Sequence, residues 1–132
     1  MNREIKFRAY GKNSKEFLDN GCGFSLKEMQ NIEDIDSWDI MQFAGFKDKN
    51  KKEIYEKDIV KVVAMHSFDE GDIAGKEVDF VEFIPEVGVF GFFGREGLRG
   101  LGVRDLHKRY KAHFLEFEII GNIYENPELL NN

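Results

Sequence analysis

The stretch from Met41 to Val63 constrains the fold of this 132-residue chain more than any other. Met41-Gln42-Phe43-Ala44-Gly45-Phe46 reads as a strand end, and Gly45 frees the backbone to bend. Lys47 to Glu53 is a charged turn in which Asp48 and Asn50 supply the turn chemistry. Ile54-Tyr55 drops back toward a core, Glu56-Lys57-Asp58 makes a second tight turn, and Ile59 to Met65 is β-branched and long enough for a central strand. The charged turn is expected as solvated scaffolding. Ile54, Tyr55, Ile59, Val60 and Val62 are expected in the core.

The flanking segments are also written in short strands. Glu4 to Tyr10 alternates strictly, with Ile5, Phe7 and Ala9 on one face and Lys6, Arg8 and Tyr10 on the other, which predicts a half-buried strand. Gly11 to Lys15 is a turn cluster, and Glu16-Phe17-Leu18 is expected to return as a short partner strand. Ser25-Leu26-Lys27-Glu28 fits a capping box opening one helical turn through Asn31. Asp36 to Phe43 alternates again, and Trp38 reads as core or interface. An acidic loop runs from His66 to Gly75. Residues 76–84 and 87–94 are expected to form a hairpin across Pro85-Glu86, the second strand curved at its glycines. The four glycines between Gly94 and Gly102, with Arg95 and Arg99, read as a mobile loop. Val103, Leu106 and Tyr110 have helical spacing on a basic background. Phe114 to Tyr124 is the last strand, and Asn126-Pro127-Glu128 opens a short helix.

Composition supports a folded, single-unit object. Hydrophobic residues make up 42% of the chain and aromatics 14%, with 13 Phe, enough to bury large apolar area per residue. The single cysteine, Cys22, rules out a disulfide framework within the chain and fits a reducing cytoplasm. The charged start Met1 to Lys6 lacks a signal-peptide core, and no apolar run approaches the roughly 20 residues of a membrane span. A net charge of −6 argues against non-specific nucleic-acid binding, yet the charge is uneven. Residues 28–39 carry Glu28, Glu33, Asp34, Asp36 and Asp39 with no basic residue, whereas residues 98–113 carry Arg99, Arg104, Lys108, Arg109 and Lys111 against Asp105 alone. Such segments either pair between copies of the chain or stand as solvated faces.

Catalytic chemistry finds little support. His107 and His113 lie six residues apart, which suits neither one helical turn nor alternate strand positions. His66 with Asp69 and Asp72 is the best carboxylate–histidine grouping, and it reads as a hydrated loop. Cys22 lacks a neighbouring positive charge to lower its pKa. The glycines from Gly94 to Gly102 have no Gly-Lys-Ser/Thr sequence and no strand–loop–helix unit to make a phosphate loop.

Three segments carry a family resemblance. Met41 to Asn50 followed by Glu53 to Val60, Ile5 to Tyr10, and Ile119 to Leu130 together resemble the YopX family of phage and prophage proteins, in the family's order and across nearly the whole chain. The chain has Lys57 where the family usually has glycine, and Lys51-Lys52 where a glycine often precedes the second basic residue. These turns must then be made by residues that tolerate positive φ poorly, or be reshaped. The resemblance implies a phage origin and a mostly β fold with an SH3-like C-terminal part; it implies no activity.

The chain therefore reads as mainly β: an N-terminal β-hairpin region over residues 1–44, an SH3-like small barrel over residues 45–132, one or two short helices, and one compact unit. The expected role is that of a cytoplasmic phage accessory protein in its bacterial host. It would be non-enzymatic and without cofactor or metal, self-associating and binding a host or phage protein. Trp38, Arg95, Arg99, Arg104, Lys108, Arg109 and Tyr110 are the candidate interaction surface. The alternative is a nucleic-acid-associated small barrel using the basic segment 95–111, where Tyr110 would stack on bases.

Overall fold

A computed structural model describes residues 5–65, 73–84, 89–94, 97–99 and 114–130. The described residues are mainly β, in two antiparallel sheets. The first sheet has β2 (Trp38–Lys47) between β1 (Phe7–Gly11) and β3 (Glu53–Tyr55). β1 pairs with β2 from Phe7 opposite Gln42 to Gly11 opposite Trp38. β2 pairs with β3 at Phe43 opposite Tyr55, then shifts register before Lys47. Gly45 lies inside that irregularity at φ 98°, a left-handed conformation that glycine adopts without steric cost.

The second sheet runs in the order β7-β6-β5-β4-β8, with β4 (Asp58–Met65), β5 (Ile73–Ile84), β6 (Val89–Gly94), β7 (Gly97–Arg99) and β8 (Phe114–Asn122). β4 is paired on both sides, to β5 and to β8. Seven of its eight residues are buried, so its near-continuous β-branched run reports a strand buried on both faces. Among the described residues no ring of hydrogen bonds closes these strands into a barrel; β7 and β8 are the two ends.

The core lies where the sheets meet. Ala44 and Ile54 from the first sheet pack with Val60, Val62 and Val81 from the second, flanked by Phe46, Leu115, Phe117 and Ile119. Phe46 and Phe117 meet edge to face at 5.5 Å. The alternation of the last strand is as expected: Leu115, Phe117 and Ile119 face the core, and Glu116 and Glu118 face Lys49. Ile54, Tyr55, Ile59, Val60 and Val62 are all 4% exposed or less.

Several local expectations change. The hairpin return at 16–18 is reduced to one bridge, Tyr10 opposite Phe17, because the chain leaves the edge of β1 at Leu18 in a tight turn whose Asp19 and Asn20 take positive φ. The faces of β1 are also not as the alternation implied. Ile5 is 53% exposed, while Tyr10 is buried and the Arg8 side chain is only 11% exposed. β5 starts at Ile73, inside the expected acidic loop, because Gly75 and Ile73 extend the ladder opposite Ala64 and Met65. Part of the expected glycine loop is strand: Gly97 to Arg99 pairs back onto β6, since glycine richness does not remove backbone donors and acceptors. The capping box forms as read, with Ser25 Oγ accepting from Glu28 N and Glu28 Oε1 from Ser25 N, both at 3.2 Å. The helical spacing at 103–113 lies outside the described residues.

Candidate functional site

The polar groups that organise the molecule are gathered by the two turns of the 41–63 stretch. The second turn centres on Asp58, which is 2% exposed. Asp58 Oδ2 accepts from Tyr55 N at 2.8 Å, closing the turn on itself, and Oδ1 accepts from Arg8 Nη2 at 2.8 Å. Arg8 Nη2 also donates to the Glu56 carbonyl at 3.2 Å. The guanidinium lies 5.0 Å from the ring centroids of both Phe17 and Tyr55, so aromatic faces enclose the ion pair. Burial pushes the Asp58 carboxyl above its ordinary range, against the opposing pull of Arg8 and the Tyr55 amide.

Around this pair the two ends of the chain meet. Tyr10 on β1 stacks on Tyr124, just past β8, at 4.1 Å, and Phe17 meets both rings edge-on. The Tyr124 hydroxyl donates to Asp39 Oδ2 at 3.3 Å, and burial followed by the Asp39 charge raises its pKa. The Tyr55 hydroxyl donates to Glu53 Oε1 at 3.2 Å, while Lys6 Nζ contacts Glu53 Oε2 at 2.7 Å. Burial and the Glu53 charge push Tyr55 up to about 12. The closing motif shapes itself through Asn122, whose Oδ1 accepts from Tyr124 N at 3.0 Å and Glu125 N at 2.9 Å. Gly121 is required beside it, since a Cβ there would lie 2.5 Å from Asn126 Oδ1.

The first turn centres on Asp48, also buried at 6% exposure. Its Oδ1 accepts from Asn50 N and Lys52 N, both at 2.9 Å, and its Oδ2 from Ile119 N at 3.0 Å. Burial alone would raise its pKa, but the Ile119, Lys52 and Asn50 amides outweigh it and hold the carboxyl below its ordinary value. The expected solvated turn is therefore half correct. Lys49, Asn50, Lys51 and Lys52 are exposed, but Asp48 turns inward because its carboxylate has three amide donors there.

Both lysines at glycine-like positions adopt positive φ: 66° at Lys51 and 73° at Lys57. The turns keep the shape glycine would give them, at a cost of about 1 kcal/mol each for an L side chain. At Lys57 the surroundings fix that shape. Its N–H donates to the Val81 carbonyl at 2.7 Å, its carbonyl accepts from Ile123 N at 3.0 Å, and its Nζ meets Glu82 Oε2 at 2.5 Å.

Arg8, Asp58, Asp48 and Asn122 thus spend their hydrogen bonds holding segments of this chain together. Among the described residues no group of three or more His, Cys, Asp or Glu is placed to hold a metal ion, and no helix is long and apolar enough to cross a membrane. A cleft of about 380 Å³ is lined by Lys15, Glu16, Phe17, Asn20 and Glu125.

Of the residues singled out from sequence, Trp38 opens β2, half-buried, its ring against Gly11, where a Cβ would lie 3.3 Å from it. Arg99 ends β7 at the margin of the second sheet. Arg95, Arg104, Lys108, Arg109 and Tyr110 lie outside the described residues, as do His66, Asp69 and Asp72. Sequence reasoning missed Arg8, Asp48, Asp58 and Tyr124. The available signal was a lone Arg on an otherwise apolar-flanked strand, and one Asp in each turn, opening the first and closing the second.

These features define a small antiparallel β protein whose polar centre is a scaffold built from two Asp-centred turns. A family model described as YopX protein matches residues 10–131, and the chain belongs to the YopX family. Three solved chains match it. One is the crystal structure of protein EF1440 from Enterococcus faecalis, 24% identical, with a TM-score of 0.58, covering 98% of this chain and 99% of that one. At that identity the likeness is one of fold. No curated protein matches the chain.

Proposed function

We propose that the chain is a non-enzymatic phage or prophage accessory protein that acts in the host cytoplasm as a self-associating, protein-binding module on an SH3-like framework. The observation behind this reading is the state of the sheet edges. The outer edge of β1 is occupied at Phe7 by Phe24, with reciprocal backbone bonds of 2.8 Å, and at Tyr10 by Phe17. The outer edge of β8 meets the Asp48–Lys49 turn. β7 is the end strand of its sheet, with no strand beyond it among the described residues. An end strand is a template for strand addition wherever its outer edge is unpaired. β7 carries Arg99 at the start of the basic segment 98–113, opposite in sign to the acidic segment 28–39 of another copy. The occupant argued for is a second copy of this chain, paired edge to edge about a two-fold axis.

Sedimentation velocity over a concentration series, at low and moderate salt, tests this. A dimer weakened by salt is expected; a monomer throughout overturns the self-association. A gel-shift series with single- and double-stranded DNA and RNA at about 0.1 M salt is expected to show no retardation, and a retarded band would favour the nucleic-acid alternative.

A further inference from the structure

Backbone groups on the outer edge of β8 are satisfied by a turn. Ile119 donates its N–H to Asp48 Oδ2 at 3.0 Å, and the Phe117 carbonyl accepts from Lys49 N at 2.8 Å. In an antiparallel ladder every second residue directs its backbone groups away from the paired neighbour, so Phe117 and Ile119 are the positions that a further strand would use. Lys49 Nζ then reaches across the acidic face of β8, 3.5 Å from Glu116 Oε1 and 3.8 Å from Glu118 Oε1. The turn cannot itself be a strand, because Asp48 Oδ1 folds it back onto Asn50 N and Lys52 N.

We propose that the Asp48–Lys49 turn is an edge guard, which occupies the strand-addition site of β8 and denies it to a second copy of this chain. The occupant excluded is a like strand for a specific reason. β8 alternates Leu115, Phe117 and Ile119 with Glu116 and Glu118, and a long, aromatic, β-rich strand with a bare edge pairs readily with its own kind. The guard also sets how far assembly can go. A sheet with one open edge pairs and stops; a sheet with two open edges adds copies head to tail without closing. The inference does not need the β7 reading to hold, since a guarded β8 is as necessary in a monomer as in a dimer.

Two variants unplug the edge by different routes. Asp48→Asn keeps one oxygen for Asn50 and Lys52 but turns an amide N–H toward Ile119 N–H. Lys49→Glu, at an exposed position, sets a third carboxylate against Glu116 and Glu118. Each is compared with the parent protein by circular dichroism, by sedimentation velocity over a concentration series, and by hydrogen exchange at the Ile119 amide. In the parent the Ile119 amide is expected to be protected. In Asp48→Asn it should exchange about ten-fold faster or more, the effect of losing one charge-assisted hydrogen bond, and in Lys49→Glu it should exchange faster as the repelled turn lifts from β8. Their mass should rise with concentration past that of the parent. Rapid exchange at Ile119 in the parent overturns the guard. So do folded variants that lose Ile119 protection yet keep the parent's mass at every concentration. If Asp48→Asn fails to fold, Lys49→Glu carries the test. A monomeric parent with associating variants supports the guard while refuting self-association through β7.

Discussion

The two turns of the 41–63 stretch are built alike and stabilised differently. Each has a buried Asp that closes the turn by accepting from backbone amides, and each has a lysine in the left-handed region. Each Asp also reaches a distant element. Asp48 finds a backbone amide of β8, and Asp58 finds the guanidinium of Arg8 on β1. Their acidities then move in opposite directions: Asp48 is held low by three amides, and Asp58 is pushed up by burial. At Asp48 three fixed backbone dipoles together outweigh the desolvation and stabilise the carboxylate. A carboxylate as deep as Asp58 has a charge to oppose the desolvation, and removing that charge strands it.

The contrast is sharpest when the partner is removed. Arg8→Met is expected to destabilise the protein by about 3–5 kcal/mol, because Asp58 is left buried and unpaired, as read from denaturant unfolding. Asp48→Ala should cost less, about 2–3 kcal/mol, since the three amides it abandons lie at a turn that water can reach. A cost for Asp48→Ala equal to that of Arg8→Met would erase the distinction between the turns.

Acid separates them by sign. The folded-state pKa of Asp48 lies below its ordinary 3.8, so its contribution is present above 3.8 and is lost as pH falls through the lowered value. That of Asp58 lies above 3.8, so its proton-linked contribution is present below 3.8 and is lost as pH rises through the raised value. The stability gap between the parent and Asp48→Asn should therefore shrink on acidification below pH 3.8, and the gap to Asp58→Asn should not. Parallel pH titrations of unfolding midpoints measure both.

The smallest effect concerns the lysines. Lys51→Gly should stabilise by up to about 1 kcal/mol by relieving the left-handed strain at an exposed site. Lys57→Gly should gain less, because it also gives up the contact with Glu82. Thermal unfolding of the two variants side by side reads the order.

Much of the second sheet was legible because its signals are local. The β-branched run of β4, the alternation of β8 and the β5–β6 hairpin each follow from residues adjacent in sequence. The polar centre was not. Arg8 reads as solvated when only its neighbours are seen, and it is buried because Asp58, 50 positions away, supplies the opposite charge. Asp48 looks like any turn aspartate until Ile119, 71 positions on, is brought to it. Gly97 to Arg99 was masked by the glycine content around it. Lys51 and Lys57 show a different kind of legibility: their place in the family pattern leaves either positive φ or a reshaped turn, and both adopt positive φ.

A double-mutant cycle tests the central contrast most directly. Stability is measured for Arg8→Met in three backgrounds: the parent, Asp58→Asn and Asp48→Asn. The predicted coupling between Arg8 and Asp58 is about 3 kcal/mol, and that between Arg8 and Asp48 is within about 0.5 kcal/mol of zero. Additive behaviour with Asp58, or a comparable coupling with Asp48, would contradict the assignment of a cation to one turn and backbone dipoles to the other.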